Sequence, residues 1–251
     1  MTAELFDLTG EVAVVTGGGR GIGEGIARTF AGAGAAVVVA ARRQAEIERV
    51  AKEIEAEGGV ALAVVCDVTD ADALDALAAA TIARFGRVSI WVNNAGGSPV
   101  RAPLCELDRA TWDQTIALNL TAVWSGCVTA ARVIEEGCII NVSSLAGFGP
   151  VPGSGHYAAA KAGVHSLTQT LARELAPRIR VNCIAPGSVP TEIMMQALDL
   201  SDADLERYRQ RSRIPLERLG TPQDIGATAL YLAAPAAAWI TGQILTVSGG
   251  Q

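Results

Sequence analysis

Tyr157 and Lys161 stand four residues apart in the run HYAAAKAG, and Ser144 lies thirteen positions before the tyrosine, at the end of an apolar run. Four residues is about one helical turn, so on a helix both side chains share a face. A phenol beside an ammonium is a proton donor tuned toward neutrality. The pair alone is unspecific, because Tyr-x-x-x-Lys also arises on plain solvated helix faces. The elements around it decide what it means.

Those elements alternate. Short β-branched runs predict strands at 11–16, 36–40, 60–65, 88–92, 138–142, 179–184 and 244–247. Helical patterns predict helices at 22–33, 43–57, 71–85, 109–134, 154–175 and 222–233. Strict alternation implies right-handed βαβ units and one parallel sheet of about seven strands, covered on both faces. The stretch 185–221 reads as irregular, and within it 188–215 is expected to be a substrate-binding lid. There is no repeat, linker or composition break, so residues 1–251 are expected to form one domain.

Composition narrows the chemistry. Half of the residues are hydrophobic, only 4% are aromatic, and the net charge is −6. No long basic block is present, which argues against nucleic acid or an acidic membrane as partner. Cys66, Cys105, Cys127, Cys138 and Cys183 are scattered without CxxC spacing and read as buried free thiols of a reducing cytoplasm. With two histidines in the chain, no metal site is expected. The N-terminal residues do not read as a signal peptide, and no apolar run approaches the roughly 18 residues of a membrane span.

A second set of residues fits a dinucleotide. The stretch TGGGRGIG, residues 16–23, falls between a strand and a helix, where Gly17, Gly21 and Gly23 let the backbone turn and approach a pyrophosphate. Strand two ends in Ala41, Arg42 and Arg43, where sites for NAD usually carry an acidic residue for the ribose 2′-hydroxyl. An absent carboxylate beside two guanidiniums suits a 2′-phosphate, with Arg20 lending a third charge, so NADP is expected over NAD. The plainer alternative is that Arg43 merely opens a solvated helix. Asp67, before Val68, either accepts from an adenine amino group or caps a helix. Asn93-Asn94-Ala95-Gly96 either lets a ligand approach the backbone or is only a turn.

Taken in order, TGGGRGIG, Asp67, NNAG, Asn119, Ser144, Tyr157-x-x-x-Lys161, Pro186-Gly187 with Thr191, and the terminal ITGQILTVSGG resemble the short-chain dehydrogenase/reductase family over essentially the whole chain. One departure is Ser248, where VDGG is commoner. The resemblance implies a Rossmann-type doubly wound sheet and hydride transfer between a nicotinamide and a ketone or secondary alcohol. It implies Tyr157 as general acid or base, Lys161 lowering its pKa and bonding the nicotinamide ribose, Ser144 holding the substrate oxygen, and Asn119 anchoring a water relay. It places the cofactor against Gly17, Gly19, Arg20, Gly21, Ile22, Arg42, Arg43, Asp67, Val68, Asn94, Ala95, Gly96, Tyr157, Lys161, Pro186, Gly187, Val189 and Thr191.

For the substrate, the candidates are Ser98, Leu145, Phe148, Val151, His156, Val189, Ile193, Met194 and Met195, mostly small or apolar. Two specific activities compete: a 3-oxoacyl-[acyl-carrier-protein] reductase, disfavoured by an acidic VIEEGC turn, and a hydroxysteroid dehydrogenase, to whose bacterial 7α members the C-terminal part is similar. A catalytically idle NADP-binding protein is the alternative from another class. The family resemblance further implies a homotetramer, with apolar helix faces at 112–133 and 156–175, Trp124 and the segment 239–251 as contact candidates.

Overall fold

The structure, a computed structural model, describes residues 4–251. Seven strands, β1 (Val12–Thr16), β2 (Ala36–Ala41), β3 (Val60–Val65), β4 (Val88–Asn93), β5 (Ile134–Val142), β6 (Ile179–Pro186) and β7 (Ile244–Val247), form one sheet. Their order is β3-β2-β1-β4-β5-β6-β7, and every pairing is parallel. Central strands of a sheet covered on both faces read as unbroken apolar runs rather than alternations. Accordingly all five residues of β1 and all six of β4 are buried, whereas the edge strand β3 is largely accessible.

Helices α1 (Gly21–Gly32), α2 (Gln44–Ala56) and α9 (Pro222–Ala233) cover one face through Ile26, Phe30, Ile47 and Ile225. On the other face lie α3 (Ala71–Phe85), α5 (Ala122–Val133) and α6 (Gly155–Glu174), through Leu74, Leu77, Cys127 and Val164. This is a Rossmann-type doubly wound sheet. Its strand order reverses between β1 and β4, which opens a crevice at their C-terminal ends.

Four details depart from the expectation. The stretch 185–221 holds α7 (Glu192–Leu198), α8 (Leu205–Ser212) and a 3-10 turn, Asp202–Asp204. Neither helix buries a residue, so no apolar periodicity announced them. They stand on local polar bonds instead: Thr191 caps α7 by accepting from the Met194 N–H, and in α8 Arg209 pairs with Glu206 at 2.6 Å. Second, β5 begins at Ile134, so Glu135 and Glu136 belong to a strand. Its register against β4 shifts between Val88 and Ile90, which accommodates them. Third, Cys105 is exposed; the other four cysteines are buried, and burial pushes Cys66, Cys138 and Cys183 up to about 11 and Cys127 to about 12. Fourth, the continuous helix Arg109–Val133 is long and apolar enough to span a membrane by length and composition, with a mean hydropathy of 1.3. Its second half lies against the sheet through Val123, Cys127 and Ala130, as a core helix does.

Candidate active site

The expected groups converge at the C-terminal edge of the sheet. Tyr157 and Lys161 lie one turn apart on α6, with the Lys161 ammonium 5.6 Å from the centre of the Tyr157 ring. Lys161 is 2% exposed and donates from Nζ to the Val142 carbonyl, 3.0 Å away, at the end of β5. Burial pulls its ammonium down to about 8. The same effect pushes the Tyr157 phenol up to about 12, and a hydrogen bond with the Ser144 hydroxyl opposes that rise. Ser144 begins the loop after β5, where its Oγ also accepts from the Ala146 N–H at 3.1 Å.

Asn119 is fully buried in a π-helical turn, Ala117–Thr121, that interrupts the helix between α4 (Arg109–Ile116) and α5. Its Nδ2 donates to the Thr115 and Gly97 carbonyls, both at 3.0 Å, and its Oδ1 accepts from the Gly97 N–H at 2.8 Å. The turn therefore spends a helix-interior amide on clamping the loop after β4. Gly96 lies between Asn119 and the lysine: an added Cβ would be 2.9 Å from Asn119 Oδ1 and 3.2 Å from Lys161 Nζ. Any side chain there would separate the two.

On the other side of the crevice is the glycine loop. Gly17 has φ +64, and a Cβ on it would stand 2.9 Å from Ala95 Cα. Asn94 fastens this loop, donating from Nδ2 to the Thr16 carbonyl at 2.9 Å and the Gly17 carbonyl at 3.2 Å. The residue preceding α1, Arg20, makes no side-chain cap, unlike those preceding α3, α7 and α9. The first N–H groups of α1, at Gly21, Ile22 and Gly23, are thus left for an outside acceptor, and such a terminus suits a phosphate. The residues present fit a dinucleotide on this observation.

β2 ends at Ala41. Arg42 beyond it is 73% exposed, with its only ion-pair partner among the described residues, Asp67, at 3.9 Å. Asp67 is chiefly a turn former, accepting from the Thr69 N–H at 3.0 Å and its hydroxyl at 2.7 Å, bonds that hold its carboxyl below the usual range. Val68 behind it is buried. Arg43 pairs with Glu46 at 2.5 Å, and Gly19 packs on Glu46. Arg20 is lowered first by burial and then by the like charge of Arg43, an arrangement that an intervening anion would relieve.

The chain after β6 closes the crevice. Pro186 ends β6, the Gly187 N–H donates to the Val247 carbonyl at 3.0 Å, and Val189 is buried. Thr191 lies over the glycine loop, since a Cβ on Gly21 would come within 3.1 Å of its methyl. Leu145, Val151, Ile193, Met194 and Met195 are half-buried around this region, and Phe148 is exposed but stacks on His165 at 4.5 Å. Ser98 bonds to His156, which is fully buried.

Sequence reasoning missed three groups. Ser143 Oγ meets His165 Nε2 at 2.7 Å directly beneath the Ser144 loop; the signal was His165 one further turn beyond Lys161. Glu192, at the start of α7, forms an ion pair with Arg20 that ties the lid to the glycine loop. Gln251 bonds Ser188 twice, through its backbone N–H at 2.9 Å and its hydroxyl at 3.1 Å, and the same hydroxyl meets Tyr208 of α8 at 2.9 Å. Nothing in the residue pattern foretells such a contact 63 residues apart.

Residues 17–251 match the sequence family described as Enoyl-(Acyl carrier protein) reductase. The chain is 42% identical to 3beta-hydroxysteroid dehydrogenase 1 of Eggerthella lenta over 97% of its own length and 94% of the relative's. It is 39% identical to 3-oxoacyl-[acyl-carrier-protein] reductase of Synechocystis, over 97% of each. Among solved structures, it superposes on a 7 alpha-hydroxysteroid dehydrogenase complexed with NADH and 7-oxo glycochenodeoxycholic acid with a TM-score of 0.92, at 37% identity, over 100% of this chain and 97% of that one.

Proposed function

The chain belongs to the short-chain dehydrogenase/reductase family, an oxidoreductase family with a nicotinamide cofactor, and from that premise we propose that it interconverts a ketone and a secondary alcohol with NADP(H). The observation that carries the reading is the convergence of Ser144, Tyr157 and Lys161 beside a glycine loop. In this reading Asn119 serves them from behind, by fixing the Gly97 backbone and with it the preceding Gly96, which lies against Lys161. When bound, the nicotinamide supplies or takes up the hydride. Gly17, Gly19, Gly21 and Ile22 would hold the pyrophosphate, Pro186, Gly187, Val189 and Thr191 the nicotinamide side, and Asp67, Val68, Asn94, Ala95 and Gly96 the floor between.

The protein's own part is proton handling. In reduction the Tyr157 phenol gives its proton to the carbonyl oxygen, which Ser144 holds by a hydrogen bond. In oxidation the same residue must become phenolate, against a site that raises it to about 12. Positive charge from Lys161 and from the oxidised cofactor lowers that barrier. Tyr157→Phe is expected to abolish turnover of a ketone panel while NADPH binding, read by fluorescence, persists. Wild-type turnover in that variant would sink the assignment.

NADP is favoured over NAD by Ala41 and by the freely presented Arg42. We read residues 1–251 as one nucleotide-binding domain with its lid at 188–215. The reading extends to a cytoplasmic homotetramer without nucleic-acid or membrane partners. Fully exposed Trp239, half-exposed Trp124 and the open groove between Tyr231 of α9 and Ile244 of β7 support the self-association.

A hydroxysteroid-like substrate suits the half-buried apolar lid residues. The acyl-carrier reading gains one observation, since the lid exposes Arg207, Arg211 and Arg213. The VIEEGC segment no longer bears on it, because Glu135 and Glu136 lie at the opposite edge of the sheet. Arg178 and Arg180 are also spent, donating to carbonyls of Ile134 and Leu232 respectively. A 3-oxoacyl thioester reduced only when carried by an acidic carrier protein would favour that second reading.

A further inference from the structure

Of the chain's two histidines, the one next to Tyr157 has an unpaired atom. His156 is 0% exposed, and burial holds its imidazole below the ordinary range, so the ring is neutral near pH 7. Its Nε2 lies 3.0 Å from Ser98 Oγ, and its Nδ1 is buried with no partner among the described residues. A neutral imidazole carries one N–H and one bare lone pair. A hydrogen on Nδ1 would be a buried orphan donor, which is rarer in folded proteins than an unmatched acceptor. The hydrogen therefore belongs on Nε2, and His156 donates to Ser98.

That assignment has a consequence for the serine. Its oxygen accepts from the imidazole, so its own hydrogen is released to another acceptor. No further partner of Ser98 Oγ exists among the described residues, and Ser98 is only half-buried. It follows Gly97, which Asn119 clamps and which the lid covers: a Cβ on Gly97 would fall 2.7 Å from Ile193 Cγ2. The serine thus directly follows a glycine that packs on apolar Ile193 of the lid, and in such an apolar setting one polar group has the most discriminating power.

We infer that His156 is a positioning residue that turns the Ser98 hydroxyl outward as a hydrogen-bond donor, selecting carbonyl compounds with a second oxygen acceptor remote from the reacting carbonyl. This rests on the carbonyl-reduction reading above and narrows it to bifunctional, largely apolar ketones. The test uses two substrate pairs with NADPH: cyclohexanone with 4-hydroxycyclohexanone, and an androstan-3-one with its 17β-hydroxy analogue.

The wild-type protein is expected to prefer the hydroxylated member of at least one pair by about tenfold in kcat/KM, expressed mainly in KM. Ser98→Ala and His156→Leu should both bring that ratio near unity, and their double variant should lose no more than either alone. His156→Gln, whose amide N–H can replace Nε2–H, should restore most of the preference. Calorimetric binding of the corresponding alcohols should show the same order, and NADPH fluorescence reports an intact site in each variant. Ser98→Ala alters only a partly exposed hydroxyl, so the comparison stands even if His156→Leu fails to fold. Equal handling of both pairs, or a preference that survives Ser98→Ala, overturns the inference and leaves carbonyl reduction in place. A wild-type protein idle on every ketone sinks both.

Discussion

Replacing Lys161 with Met should make the protein more stable while it removes a group to which the proposed reaction assigns a part. The lysine is 2% exposed, and burial pulls it from the ordinary 10.5 down to about 8. At about 1.4 kcal/mol per pH unit, keeping that ammonium charged inside the fold costs about 3 kcal/mol near neutrality. Met fills nearly the same space without a charge, so no large cavity or overpacking term arises. The variant forfeits the bond to the Val142 carbonyl, worth about 1 kcal/mol. The net gain is about 2 kcal/mol at pH 7, or about 4–8 °C in Tm for a chain of this size. The pH dependence fixes the cause. Between about 8 and 10.5 the unfolded chain still holds the proton that folded Lys161 has released, so wild-type stability rises relative to the variant's. Below about 8 the difference is constant, and above 10.5 the variant keeps only its lost hydrogen bond. Urea unfolding followed by circular dichroism, at one fixed protein concentration and at pH 7 and pH 10, measures both quantities. A variant less stable than wild type at pH 7, or a gap equal at the two pH values, would refute the reasoning.

Arg42→Ala should weaken NADPH binding by about 2 kcal/mol, near thirtyfold, and NADH binding hardly at all, because an exposed guanidinium facing a 2′-phosphate makes a charge-assisted bond only with the phosphorylated cofactor. Fluorescence titration with both cofactors checks this, and equal losses would put the 2′-phosphate elsewhere. Glu192→Gln should tighten NADPH binding by up to about fivefold at low salt, since it frees Arg20 from a partly exposed ion pair worth at most about 1 kcal/mol. The gain should fade as salt rises; a variant that binds tenfold more weakly would mean that the pair assembles the site instead of competing with its ligand.

The sheet was legible because its physics is local and repetitive. A strand buried on both faces leaves a run such as VAVVT, and a helix covering it leaves Ile47, Val50 and Ile54 one turn apart. The site was legible in part for the same reason, since residues ending parallel strands must gather at one edge: Thr16, Ala41, Asn93, Val142 and Pro186 all do. The lid helices left no such trace. They bury nothing, and the ion pairs that hold the eight residues of α8 look like the charges of an ordinary loop. The start of β5 was hidden by two exposed glutamates, which broke the apolar run at the point where the strand's register shifts.

What the sequence pattern could not convey is how much one helix organises. Read along α6, the polar groups at 156, 157, 161 and 165 each grip a different piece of the sheet's C-terminal edge. His156 holds Ser98 after β4, Tyr157 meets Ser144, Lys161 meets the Val142 carbonyl at the end of β5, and His165 meets Ser143 between them. Helical spacing is rigid, so these four contacts set the mutual positions of two loops that have no strand pairing of their own there. A change at any of the four should therefore move the others. That coupling is why the preference assigned to His156 and Ser98 is best probed first by Ser98→Ala, which changes none of the four side chains on α6.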